Sequence, residues 1–410
     1  MNKIFLATTA LSLVASAAFA EGPAVTVGGN IKTQVGVSDQ ESAFTSGSTV
    51  RSQDSRDSHI RTDSRVDVKV SGKSDNGLGF GGVATIIGNS SGQDDDGNQS
   101  VAGEKTYVFV ESGLGKVEAG SNSGASQAMK VGAQSFARGS GGIAGDFYKF
   151  VNLGAVNTNT GLQRQKFIVT PDLPSVATPG ARNRVYSAAG ADAADQFVTE
   201  YANKITYYSP RIAGVQAGVT YIPNTGEQGN ANGFAGKYSG VGAPAYYQNV
   251  FTGGLNYSGE LSGVGIKASA VTEQAGKTQR ASAGDSNSYK EMQAYDFGAS
   301  ATFSGVTVGG SYALIPEFGG LSVNSEEGQF WTAGAGYEFG PFAASVSYLQ
   351  SEAQNSALKN KFQNVSVGAD YKLAPGLVPY VEVNFFDADS EANTTANAGN
   401  VVLFGTQLTF

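Results

Sequence analysis

The chain is predicted to be all-β, folding as a 16-stranded antiparallel transmembrane β-barrel. Three observations carry this reading. Segments of apolar/polar alternation recur along nearly the whole length, and the connections between them alternate between short and long. Beyond the first twenty residues, no apolar run reaches the roughly 18 residues that a spanning helix needs. The composition agrees: 56 glycines, 23 phenylalanines, 18 tyrosines and no cysteine in 410 residues. Without cysteine there is neither a disulfide framework nor a thiolate metal site, so a chain of this size must be held by one continuous structure. The formal charge of −8 offers no basic face to neutralise phosphates, which excludes general nucleic-acid binding.

The first element is processed away. Residues 1–20, MNKIFLATTALSLVASAAFA, place Lys3 before an apolar stretch from Ile4 to Val14 and end on Ala18-Phe19-Ala20. That order is a secretory signal peptide. Residues 21–410 follow with no linker and are assigned to one barrel domain. Strands are predicted near 24–37, 58–73, 78–89, 103–112, 115–121, 199–209, 213–223, 245–258, 262–273, 290–303, 306–315, 328–338, 341–351, 361–373, 377–388 and 400–410.

Each strand is read by parity, because successive side chains point to opposite faces. In the fourteenth, Val365, Val367, Ala369 and Tyr371 share one face, and Asn364, Ser366, Gly368 and Asp370 share the other. Short turns such as DNG (75–77), SGLG (112–115), SG (304–305) and APG (374–376) follow even-numbered strands, whereas loops rich in Gly, Ser, Asp and Asn follow most odd ones. Tight turns at one end and long loops at the other are the pattern of an outer-membrane barrel. Closure has a physical cause: an unpaired backbone N–H or C=O in hydrocarbon costs several kcal/mol, so a membrane sheet cannot keep an edge. A soluble β-sandwich also alternates, but it must fill a core, usually with Leu and Ile. Here the apolar parity is dominated by Val, Ala, Tyr and Phe.

The second strand holds the main charge constellation. In SHIRTDSRVDVKV, His59, Arg61, Asp63, Arg65, Asp67 and Lys69 share one parity. A lipid-facing Arg or Lys costs about 2–4 kcal/mol near the midplane, so this parity is assigned to the lumen. Same-face neighbours lie roughly 6.6 Å apart along the strand. Lys32 in the first strand is on the parity of Asn30 and Gln34 and joins the set. The ladder reads either as the positive wall of a constriction or as a self-neutralising hydrated row. The formal charge favours cations and this wall attracts anions locally, with the balance tipping slightly to cations.

Two stretches resemble a known family. NKITYYSPRIAGVQAGVTYIP (203–223) and GLGKVEAGSNSGA (113–125) are similar to general porins of Gram-negative outer membranes, alphaproteobacterial type. GGIAGDF (141–147) resembles the glycine-rich part of their constriction loop, and the chain ends on an aromatic residue, Phe410, as such porins do. The resemblance implies a homotrimer in the outer membrane whose long third extracellular loop folds into the lumen. It also implies passive diffusion of ions and small hydrophilic solutes, with neither catalysis nor cofactor. Phe410 would be read by the barrel-assembly machinery, and Asp146 would be the acidic group facing the basic wall. Residues 122–198 form an extended constriction-loop region; its excess, 167–196, is open to placement as an external lobe, a second inward excursion or a trimer contact. Acidic runs at 94–96 and 325–327 could meet divalent cations bridging lipopolysaccharide, or be solvated loop charge. No metal site is expected around the lone histidine, His59. The competing reading is a substrate-specific outer-membrane channel with a partly occluded lumen.

Overall fold

The computed structural model describes residues 22–41, 57–88, 102–151, 167–174, 202–225 with 227 and 229, 247–276, 290–318, 326–355, 358–391 and 396–410. The expected signal peptide at 1–20, the acidic run at 94–96 and residues 175–196 lie outside this set.

Sixteen strands follow in order: β1 (Ala24–Gln40), β2 (Ser58–Lys73), β3 (Gly79–Ile87), β4 (Ala102–Ser112), β5 (Gly115–Ser121), β6 (Asn203–Tyr208), β7 (Val215–Asn224) and β8 (Gln248–Leu261). The second half comprises β9 (Val264–Ala275), β10 (Met292–Phe303), β11 (Val306–Phe318), β12 (Glu326–Phe339), β13 (Phe342–Asn355), β14 (Leu358–Tyr371), β15 (Leu377–Ser390) and β16 (Asn397–Thr409). Each strand pairs with its sequence neighbours, and β16 returns to β1, so the barrel is closed. Phe410 extends this last seam: its N–H donates to Gly29 O at 3.1 Å, and its own carbonyl accepts from Gly29 N–H at 2.9 Å.

The tight turns follow local chemistry. Ser304-Gly305 and Ser262-Gly263 have positive φ at both residues, the two-residue hairpin geometry whose twist matches paired strands. Strand ends differ from expectation where the inner face turns apolar. β11 runs to Phe318 and β13 to Asn355, past the predicted ends at 315 and 351. Phe318 and Ala353 are buried there, so the outward-apolar signature stops before the backbone pairing does.

The outer face is apolar and exposed, with Val27, Ile31, Val108, Val219, Leu255 and Val308 on it. Rings gather at its edges. Tyr337, Phe339, Phe342 and Tyr371 follow one another at centroid spacings of 5.1, 5.5 and 4.6 Å beside the short turns. Trp331 and Tyr348 meet at 4.9 Å further along the same strands. Two ring clusters flanking an apolar band fit a barrel seated between two membrane interfaces.

The inner parity is not uniformly polar. Toward the long-loop ends of β11–β16 it carries Ile315, Phe330, Leu349, Phe362, Phe386 and Leu403, all buried in one cluster with Ile143, Phe147 and Phe167–Val169. These side chains form a dry core on one side of the barrel.

Candidate functional site

The site is built where the segment after β5 meets the inner parity of the strands. That segment begins with a short helix, α1 (Ala125–Met129), and continues through single 3-10 turns at Ala133–Phe136, Gly142–Ala144 and Asp146–Phe150. Inner-face side chains hold it strand by strand. Thr220 on β7 accepts from Ala125 N–H at 2.8 Å, Glu273 on β9 accepts from Ser126 Oγ at 2.7 Å, and Ser269 accepts from Val131 N–H at 2.9 Å. Ser345 on β13 accepts from Arg138 N–H at 2.7 Å.

Glycines let the backbone lie directly on the sheet. A Cβ at Gly298 would stand 1.7 Å from Val131 O, and one at Gly368 would stand 2.3 Å from Arg138 O. No larger residue fits at either position without displacing the segment.

The tightest attachment is at β15. Glu382 accepts from Ser140 N–H at 2.7 Å, Gly142 N–H at 2.9 Å and Ser140 Oγ at 2.9 Å. The turn that offers both backbone donors to one carboxylate has positive φ at Gly139, Gly141 and Gly142, which glycine adopts without a Cβ penalty. Ser140 Oγ also accepts from Asp146 N–H at 3.1 Å, passing this anchorage on to the next turn.

Asp146 lies in a charge cluster. It is ion-paired with Lys32 on β1, accepts from Gln34 Nε2 at 2.9 Å, and meets Lys149 Nζ at 2.9 Å. Lys149 in turn reaches Asp63 on β2 at 3.4 Å, and Tyr380 Oη donates to Gln34 Oε1 at 2.8 Å. Burial by itself would raise the Asp146 pKa, but the attraction and hydrogen bonds of Lys32 and Lys149 prevail and hold it below the ordinary value. Lys149 is pushed above its ordinary value: burial opposes this, and the adjacent Asp146 carboxylate outweighs burial.

The β2 ladder lies on the same inner face. The register sets Lys32 opposite Asp63, Gln34 opposite Arg61 and Asn30 opposite Arg65, while Ile31, Val35 and Ile60 of the other parity are exposed outside. Arg65 pairs with Glu104, Asp67 accepts from Thr85 Oγ1 at 2.5 Å, and Lys69 sits 5.7 Å from the centre of the Phe109 ring. His59 lies 5.0 Å, centre to centre, from the Phe150 ring at the segment's end.

A family model for Gram-negative porins matches residues 7–391. The chain belongs to the Gram-negative porin family. Its likeness to individual porins is distant. An uncharacterized protein of Rickettsia bellii is 27% identical over 353 residues, covering 74% of this chain and 76% of the relative. One of Rickettsia prowazekii, also uncharacterized, is 28% identical over 358 residues, with the same coverages. Among solved structures, an anion-selective porin from Comamonas acidovorans superposes with a TM-score of 0.57 at 14% identity, covering 95% of this chain and all of that one. A mutant of Rh. blastica porin gives 0.53 at 15%, covering 94% and 100%. At such identities the structures speak to the fold alone, and they agree on the porin barrel.

Within this porin fold, Lys32, Asp63 and Asp146 come together in one cluster, Arg61 lies opposite Gln34 beside it, and Asp67 and Lys69 sit further along β2. Asp146 touches Lys32 of the basic set directly. Glu382, the segment's principal anchor, was not singled out from the sequence, although its parity with Tyr380 and Asn384 is legible. Glu104 had no readable parity because a register shift between Thr85 and Ile86 makes it the extra residue of a β-bulge, turned toward Arg65.

Proposed function

We propose that this porin is a passive diffusion channel for ions and small hydrophilic solutes across the outer membrane, with the 122–151 segment folded into the lumen as its constriction. The observation that carries this is the segment's attachment to inner-parity side chains from β7 around to β1, ending at the Lys32–Asp146–Lys149 cluster. Such a segment narrows the barrel without sealing it, and fixed charges in a narrow, poorly screened space filter solutes by size and charge. The finer assignments are part of the same reading. Lys32, His59, Arg61, Asp63, Arg65, Asp67 and Lys69 line the pore, and Asp146 fixes the segment to the basic wall. Phe410 serves as the assembly signal, and the chain works as a homotrimer after loss of residues 1–20. Residues 167–174 are a second inward excursion, supported by Ser351 Oγ donating to Ile168 O at 2.6 Å.

Single-channel recording of purified protein in planar bilayers tests the proposal. Large steps that small sugars do not block are the result expected of a general channel. A bilayer that stays silent after insertion refutes it. The buried apolar cluster with Phe167–Val169 favours the second reading, a solute-specific channel with a partly occluded lumen, which predicts small, solute-blocked steps.

A further inference from the structure

The outer face of the barrel is not evenly covered by side chains. At the short-turn end the row of rings from Tyr337 to Tyr371 is continuous, but on the other side of Tyr337 it is broken. The register sets Phe303, Val306 and Tyr337 side by side on β10, β11 and β12, so one aliphatic residue stands between two rings. A groove of about 540 Å³ opens there, lined by Ala301, Phe303, Ser304, Val306, Val308 and Tyr337. Phe303 and Tyr337, 61% and 47% exposed, stand on its two sides.

The register carries the same low floor away from the turn. Ala301, Val308 and Ala335 make the next row, and Ala299, Gly310 and Ala333 the one after it. Large rings return in the fourth row with Phe297, Tyr312 and Trp331, all exposed on this face. The floor therefore runs between two rows of rings. From Val306 to Tyr312 it extends roughly 20 Å along the strand. At the tilt of about 35–45° in membrane barrels this spans roughly 15 Å of depth, half of a hydrocarbon core about 30 Å thick. The two hydroxyl side chains of the lining, Ser304 and Tyr337, stand at the turn end. A Cβ on Gly305 would lie 3.3 Å from Tyr337 Cε2, so that ring leans over the Ser304-Gly305 turn.

We propose that the groove over β10–β12 holds one acyl chain of a phospholipid in the leaflet on the short-turn side, its ester end at Ser304 and Tyr337. Three features identify the occupant. The lining carries no charge and is mostly apolar, so it takes hydrocarbon rather than a headgroup. Its length matches the depth of one leaflet. Its hydroxyls stand at the membrane edge, where they donate to an ester carbonyl. A second copy of the chain is a poorer match, since six lining residues fall far short of the roughly 20–30 a side of a stable protein interface. A chain lying between two rings also gains contacts on its flanks, which a chain on an unwalled strand surface lacks. The groove is on the outer surface, so the proposal is independent of the diffusion-channel reading.

The test is photo-crosslinking of the full chain in phosphatidylethanolamine–phosphatidylglycerol vesicles, with a phosphatidylethanolamine that carries a diazirine in its acyl chain as the probe. Adducts are mapped by peptide mass spectrometry and compared with those at Val219 on β7 and Leu255 on β8, outer residues 49% and 53% exposed. Adducts at Ala301, Val308 and Tyr337 are expected to exceed these about tenfold, a ratio that roughly ten additional carbon contacts supply. Ala301→Phe and Ala335→Phe, each of which fills the floor, should bring the excess down to the level of Val219 and leave channel current unchanged. Equal labelling of all these sites in the wild type, or an excess that survives both fillings, overturns the proposal. So does an unlabelled β10–β12 face beside a labelled Val219, the sign of a protein partner seated there. The wild-type map decides without any substitution, and the current, recorded separately, bears on the diffusion reading alone.

Discussion

Replacing Glu382 should free the 122–151 segment without opening the barrel. The carboxylate accepts two backbone N–H groups, of Ser140 and Gly142, and the Ser140 hydroxyl, and it is fully buried. In Glu382→Ala both N–H groups lose their acceptor in a buried place. At about 1–3 kcal/mol for each unsatisfied donor, the turn at 140–142 loses roughly 2–6 kcal/mol of docking energy. Even the lower figure is several times thermal energy, enough to populate undocked conformers. Because Ser140 Oγ also accepts from Asp146 N–H, the loss passes to the Lys32–Asp146 contact. Glu382→Gln keeps one acceptor oxygen and should fall between. The assay is open-channel current noise together with tryptic cleavage after Arg138. Glu382→Ala should be noisier and cleaved faster, with unchanged circular dichroism. Quiet current and wild-type cleavage would refute the inference that this carboxylate holds the segment.

Other consequences follow from the same geometry. Gly298→Ala places a Cβ where Val131 O stands, so the segment must move; solute exclusion in liposome swelling should change while the barrel still forms. Asp146 is held below its ordinary value of 3.8, so its contribution is present above the ordinary carboxylate range and is lost only as pH falls through the depressed value. The part of the conductance that depends on Asp146 should therefore persist through mild acid and be lost below that range, a difference that comparison with Asp146→Asn reads out. Leu255 is 53% exposed on the outer face of β8; Leu255→Arg should destabilise the folded barrel by about 2–4 kcal/mol in lipid vesicles, measured by equilibrium unfolding.

The strand count, the alternation of turn lengths and the shared parity of the β2 ladder were legible because each depends on neighbours in sequence. Parity is a property of one strand, and a turn such as Ser304-Gly305 is a property of two residues. Glu104 shows where this ends: one extra residue in β4 reverses its direction, and only pairing with β3 reveals the extra residue. Phe330, Leu349 and Phe362 show another limit. An apolar side chain on the nominally wet parity breaks the pattern in one strand, and it is explained only by the residues that cover it, Phe147 and Phe167–Val169, about two hundred positions away.

From its order of residues alone this chain determined that it would be a closed, membrane-spanning barrel of sixteen strands, because hydrocarbon forbids an unpaired edge and alternation sorts every strand into two faces. Tertiary structure decided what occupies the interior. Asp146 became the partner of Lys32, Glu382 became the anchor of residues 140–142, and one side of the interior filled with apolar packing. Those outcomes depend on which distant segments come within hydrogen-bond or contact distance, a condition that no periodicity within a single segment encodes.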